Sequence, residues 1–165
     1  MTSKEPHPEG HEGRKEFIMG KLYIAYGSNL NLAQMAARCP SARIYAKGVL
    51  NNWELVYRGT ERNSHATIIR KPGSTVPVLV WEIQPKDEYF LDIYEGYPRY
   101  YFKKNIMVDI GCKKKKAMVY IMDERQLPGR PSASYIETIR QGYTDNDMDI
   151  SIFEKSLELN SIECA

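Results

Sequence analysis

Lys21-Leu22-Tyr23-Ile24-Ala25-Tyr26-Gly27-Ser28-Asn29 is the first patterned stretch of this 165-residue chain. Lys21 to Tyr26 is a run of strand formers, and it stops abruptly where Gly27, Ser28 and Asn29 supply turn chemistry. Asn31 is placed to cap a helix that runs to Cys39, and Pro40 ends that helix. The segment therefore reads as strand, tight glycine turn, helix.

Working outward, Ile44 to Leu50, Trp53 to Arg58, Ala66 to Arg70 and Val76 to Ile83 read as antiparallel strands. Gly48, Gly59, Asn63 and Pro72-Gly73 separate them as short turns. Pro85 ends the last strand. The spacing then predicts a helix over Lys86 to Tyr94, with Tyr89, Phe90, Ile93 and Tyr94 on one apolar face, stopped by Gly96 and Pro98. Strands are expected over Tyr101 to Ile110 and Ala117 to Met122. Ser132 caps a further helix through Gln141 with Gly142 as its C-cap, and Asp149 to Leu159 reads as a last helix.

Strands outnumber helices and occur in clusters instead of alternating with them, which favours an α+β class over a doubly wound parallel sheet. The expected architecture is a small mixed, mainly antiparallel β-barrel, closed or nearly closed, with surrounding helices. One domain is expected over residues 19–165. Residues 1–18 are polar and aperiodic and read as a disordered leader or an added extension.

Composition sets limits on function. With 42% hydrophobic and 27% charged residues, 11 Gly and 9 Pro, the chain falls in the range of an ordinary folded domain that buries roughly two-thirds of its unfolded surface. Three widely spaced cysteines, Cys39, Cys112 and Cys164, and only three histidines argue against a disulfide framework or a structural zinc site. A reducing cytoplasm is the expected compartment. No apolar run approaches the about 20 residues of a membrane helix.

The net charge of +2 hides a gradient: residues 19–140 carry 19 basic and 11 acidic side chains, and residues 141–165 carry one and six. The sharpest basic cluster, Lys113 to Lys116, follows Gly111 and reads as a solvated hairpin tip. No RNP, zinc-finger or helix-turn-helix pattern accompanies it, so no nucleic-acid partner is expected. Twelve tyrosines against four phenylalanines point to a surface or pocket that needs apolar faces with hydroxyl tips.

Two places can carry chemistry. At Tyr26-Gly27-Ser28-Asn29 a glycine after a strand lets backbone N–H groups approach a ligand, as in a small anion nest. Glu95 stands at a helix end whose dipole is negative, with Asp92 one turn back and Tyr94, Tyr97, Tyr100 and Tyr101 around it. Those surroundings raise a carboxyl pKa toward a value useful for a general base. Ser28 lacks the GxSxG context of a nucleophile elbow, and His65 reads as part of a polar turn, so Ser-His-Asp chemistry is unsupported.

Three segments taken in order, Tyr23-Ile24-Ala25-Tyr26-Gly27-Ser28-Asn29-Leu30, Leu91-Asp92-Ile93-Tyr94-Glu95-Gly96-Tyr97-Pro98 and Pro131-Ser132-Ala133-Ser134-Tyr135, resemble the γ-glutamylcyclotransferase-like family, also called AIG2-like. The resemblance implies a small barrel with helices, no cofactor, and a transfer within the substrate that cleaves a carbon–nitrogen bond. A γ-glutamyl amide or peptide would cyclise to 5-oxoproline and release its amine. It also implies a pocket formed by Tyr23, Ile24, Ala25, Tyr26, Gly27, Ser28 and Asn29, with Glu95 as the base and Tyr135 touching substrate. The family's tyrosine after the EGxP segment falls on Tyr101 by spacing, with Tyr100 adjacent, and strand alternation lets only one of them face the pocket. The implied partner is a small γ-glutamyl substrate, with neither nucleic acid nor membrane involved. Two other readings stand beside it: a non-catalytic small-molecule binding protein of the same fold, which an intact Glu95 disfavours, and an RNA-associated protein that uses the basic middle.

Overall fold

The computed structural model describes residues 20–165, so the expected leader over residues 1–18 lies outside the described residues. Five strands, β1 (Lys21–Ala25), β2 (Arg43–Arg58), β3 (His65–Ile83), β4 (Phe102–Ile110) and β5 (Lys113–Ile121), close into a barrel in the order β1-β3-β2-β4-β5. Every pairing is antiparallel except the one that closes the ring, where Tyr23 of β1 lies beside Met118 of β5 in parallel. Closure gives each of these strands a neighbour on both sides. Among the described residues, four α-helices surround the barrel: α1 (Leu32–Arg38), α2 (Pro85–Glu95), α3 (Ala133–Asp145) and α4 (Ile150–Glu163). The mixed, mainly antiparallel α+β barrel expected from the sequence is the observed fold.

The four strand pieces expected between Ile44 and Ile83 are in fact two long strands. Gly48 is no turn: it stays in the ladder opposite Val78, and its missing side chain lets β4 close in, since a Cβ there would come within 2.8 Å of Val108. Pro72-Gly73 is no turn either. The β2–β3 register shifts between Asn51/Thr75 and Trp53/Arg70, and the Gly73 N–H donates to Asn52 Oδ1 at 3.0 Å, so the extra residues bend the strand as a bulge.

Lys113 to Lys116 form the first half of β5, opposite Ile110, Asp109, Val108 and Met107, and are not a hairpin tip. Their alternation was hidden by four identical residues. Gly142 does not cap α3, which continues to Asp145. It lies within the helix because a Cβ there would come 2.6 Å from Leu30 and 2.8 Å from the Asn31 nitrogen, so the glycine lets α3 press on the segment after β1.

Helix α2 turns a different side to the barrel from the one its apolar spacing suggests. Asp87 and Leu91 are its buried residues, whereas Tyr89, Phe90, Ile93 and Tyr94 are exposed. Full burial of Leu91 contributes about 1.5–3 kcal/mol to holding the helix there. A capping box between Gln84 and Asp87 starts α2, with Pro85 in its first turn. Gly96, at φ 65°, ends it one residue after Glu95.

Candidate functional site

Segments from across the chain meet around one cavity. After β1, Ser28–Leu30 make a single 3-10 turn, and Asn31 then caps α1 by accepting the Gln34 N–H at 3.0 Å. The N–H groups of Ser28 and Asn29 stand at the open start of that turn, where no preceding carbonyl of the helix can receive them. Helix α3 holds the turn from behind. Asn146 Nδ2 donates to the Leu30 carbonyl at 2.7 Å, and Asn31 Nδ2 donates to the Thr138 carbonyl at 3.1 Å.

The cavity measures about 110 Å³. Tyr23, Ile24, Tyr26, Gly27, Ser28 and Asn29 line it from β1 and the turn, Glu95 from the end of α2, Tyr101 from the segment before β4, and Tyr135 from α3. A Cβ at Gly27 would stand 3.4 Å from Ala66 and 3.5 Å from the Tyr135 hydroxyl, so glycine there keeps space for a ligand. Ala25 does not line the cavity: it pairs with Leu79 and packs into the core at 1% exposure.

Glu95 keeps part of its surface open to the cavity. Protein nevertheless crowds its carboxyl enough that burial pushes the pKa up to about 7, against an opposing pull from the Arg38 charge. Asp92, expected to press on Glu95, is engaged elsewhere. Lys103 Nζ lies 2.8 Å from its carboxylate, and the Tyr120 hydroxyl donates to it at 2.6 Å.

The phenols divide by what they do with their protons. Tyr26 donates to the Tyr120 carbonyl and Tyr101 donates to the Ala66 carbonyl at 2.6 Å, which leaves oxygen lone pairs as acceptors. Tyr23 accepts from Asn29 Nδ2 at 2.9 Å and Tyr135 accepts the Ala66 N–H at 2.9 Å, which leaves each an O–H to give. Burial, the largest cause in each, raises the pKa of all four, with smaller contributions from the Glu95 charge and neighbouring phenols, so they remain neutral phenols. A cavity holding both acceptors and donors beside one carboxyl can orient a ligand with an ammonium at one end and carbonyl or carboxylate oxygens at the other.

Tyr100 and Tyr101 both line the cavity, contrary to the expectation that one must turn away. They precede β4, which begins at Phe102, so strand alternation does not govern them. Asn29 is also more committed than a ligand-binding residue need be: its side chain joins Tyr23 to Arg38, and its carbonyl accepts the Trp81 indole N–H at 3.1 Å.

Sequence reading missed Ala66 and Tyr120 as cavity residues and misplaced His65. His65 begins β3 instead of sitting in a polar turn. Its Nδ1 shares a hydrogen bond of 2.9 Å with the Tyr100 hydroxyl, and burial lowers its pKa. The strand-like alternation of His65 and Thr67 was the available signal.

Residues 23–138 match the family described as "Gamma-glutamyl cyclotransferase, AIG2-like". A Bos taurus protein named gamma-glutamylcyclotransferase is 30% identical over 156 residues, spanning 86% of this chain and 78% of its own. The Homo sapiens protein of the same name is 27% identical over 144 residues, spanning 81% and 76%. A solved structure named gamma-glutamyl cyclotransferase superposes with a TM-score of 0.73 at 27% identity, over 82% of this chain and 85% of that one.

Proposed function

The chain belongs to the gamma-glutamyl cyclotransferase, AIG2-like family and is an enzyme of that family, and from this premise we propose that it cyclises a γ-glutamyl amide or peptide to 5-oxoproline and releases the amine. The observation that carries the reading is Glu95, a carboxyl pushed up to about 7 in the cavity that also holds the Gly27–Asn29 turn.

The substrate supplies its own nucleophile. Its α-nitrogen attacks the γ-carbonyl carbon, a five-membered lactam forms, and the bond from that carbon to the departing amine breaks. Holding the folded conformer converts the attack into a step with an effective molarity on the order of 10⁵ M or more. A free α-amine has a pKa of about 8 and is mostly protonated at neutral pH, so it must first lose a proton. Glu95, matched to that range, takes this proton and passes it to solvent, then takes the second proton that the attacking nitrogen sheds as the lactam forms and gives it to the departing nitrogen. In this reading the amides of Ser28 and Asn29 bind either the substrate carboxylate or the carbonyl oxygen as charge develops. Tyr23 and Tyr135 give hydrogen bonds to substrate oxygens, and Tyr26 and Tyr101 accept from its ammonium.

Three free thiols suit a reducing cytoplasm, which we take as the site of the reaction. Among the described residues, no helix is long and apolar enough to cross a membrane. The test is incubation with γ-glutamyl amino acids, γ-glutamyl-ε-lysine and glutathione, with 5-oxoproline followed by mass. Release from at least one compound is expected. Folded protein that releases none from the whole panel would refute the reading.

A further inference from the structure

Arg38, the last residue of α1, lies outside the cavity. It reaches two of the cavity's walls from behind. Its guanidinium stacks on the Tyr94 ring with Cζ 3.4 Å from the centroid, and a nitrogen of the same fork donates to Asn29 Oδ1. The Tyr94 hydroxyl lies 3.0 Å from Ser28 Oγ, so the ring that Arg38 covers is also tied to the amide-lined turn. A second nitrogen donates to Gln34 Oε1 at 3.1 Å, which fixes the fork in its plane.

We propose that Arg38 is a positioning residue for the reaction: it clamps the Asn29 turn to the Tyr94–Glu95 end of α2 and sets a fixed positive charge behind that cavity wall. The inference rests on the cyclisation reading. A helix C-terminus favours a cation simply through its dipole. That role requires neither the close approach to the ring of a tyrosine from another helix nor the bond to Asn29, and the planar guanidinium makes both at once where lysine's single ammonium would not.

The other ionisable groups around Glu95 leave this task to Arg38. The phenols of Tyr23 and Tyr26 on β1, Tyr100 and Tyr101 before β4, and Tyr135 on α3 are held neutral by burial. His65 on β3 has its imidazolium disfavoured by burial, and the Asp92 carboxylate on α2 is matched by Lys103. Among the described residues, Arg38 is the cation whose charge acts on the Glu95 carboxyl, and it acts to lower its pKa.

The test compares Arg38→Met and Arg38→Lys with the unaltered protein by the pH dependence of kcat and by ¹³C NMR titration of the Glu95 carboxyl. Arg38→Met should move both midpoints upward by roughly half a unit or more and lower the high-pH plateau by roughly tenfold. Arg38→Lys keeps a charge but loses the planar clamp, so its midpoints should stay close to those of the unaltered protein while its plateau falls. A folded Arg38→Met protein with unmoved midpoints would overturn the inference, as would an Arg38→Lys protein whose midpoints shift with those of the methionine variant. Absence of 5-oxoproline from the unaltered protein would count against cyclisation instead, and the NMR midpoints would still decide the role of Arg38.

Discussion

The Tyr135 hydroxyl accepts the backbone N–H of Ala66 at 2.9 Å, so a side chain of α3 completes the hydrogen bonding of β3 across the cavity floor. Ala66 is buried. Tyr135→Phe removes that acceptor without changing the ring, and the stranded amide should cost about 1–3 kcal/mol of stability. The cavity also loses an available O–H donor, so KM should rise together with any fall in kcat. Urea unfolding and initial rates measure the two effects separately. Unchanged stability would mean that water replaces the phenol at Ala66.

Glu95 should show activity and stability pulling in opposite directions. Its folded pKa, pushed up to about 7, lies above the ordinary 4.5. Stability from the neutral acid is therefore fully present below about pH 4.5 and is lost as pH rises through 7. The buried carboxylate then costs on the order of 3 kcal/mol. Glu95→Gln keeps the shape and never ionises, so its Tm should exceed that of the unaltered protein at pH 8 and match it near pH 4.5. Turnover should fall by roughly 10² or more, because the proton acceptor is gone. In the unaltered enzyme, the acidic limb of the rate profile should have its midpoint near 7 instead of near 4. A thermal scan at both pH values checks the stability inversion, and equal Tm values at pH 8 would mean that the carboxyl is well solvated.

Much of the architecture was legible because it rests on local signals. Asn31 and Ser132 are caps, Pro85 and Gly96 bracket a helix, and Gly27 breaks a strand. What could not be read depended on contacts distant in sequence. The bulge at Gly73 needs Asn52 opposite it, Gly142 stays helical because Leu30 comes close, and Leu91 faces inward because the barrel lies on that side of α2. The cavity residues of β1 and the acid at Glu95 lie in contiguous motifs and could be named. His65, Ala66 and Tyr120 enter from strands whose facing is fixed only once the barrel closes, and Arg38 lies far in sequence from the Tyr94 ring it covers.

Gly142 offers a test of how tightly α3 sets the amide-lined turn. An added methyl would come 2.6 Å from the Leu30 Cβ and 2.8 Å from the Asn31 nitrogen, and the second of these is backbone that cannot swing aside. Gly142→Ala should therefore lose about 1–3 kcal/mol through overpacking, despite alanine's better helix propensity. The strain falls on the segment that carries Ser28 and Asn29, so kcat should drop even where the protein is fully folded. Stabilisation by the alanine would show that α3 can back away from the turn without consequence.

Acid stability should depend on the clasp between α2 and the barrel. Burial works against the charge of Glu88, but hydrogen bonds and charges from Lys103 and Lys21 outweigh it, and its pKa falls below the ordinary 4.5. For Lys103, burial again opposes the charge, while hydrogen bonds to Asp92 and Glu88 outweigh it and raise its pKa above 10.5. A carboxyl with a depressed folded pKa gives stability that is present above its unfolded value and is lost as pH falls through the folded one. The lysine's contribution is present below its unfolded value and is lost only above its raised folded one. Both contributions are therefore intact at neutral pH, and the carboxyl's share fades below about pH 4.5. Lys103→Met removes the cation that both carboxylates share, so its Tm should lie below that of the unaltered protein at pH 7, and the gap should narrow as pH falls toward 3. A gap that stays constant over that range would assign the loss to the contact of the ammonium with the Tyr97 ring, 4.3 Å from Nζ, instead of to its pairing with the two carboxylates.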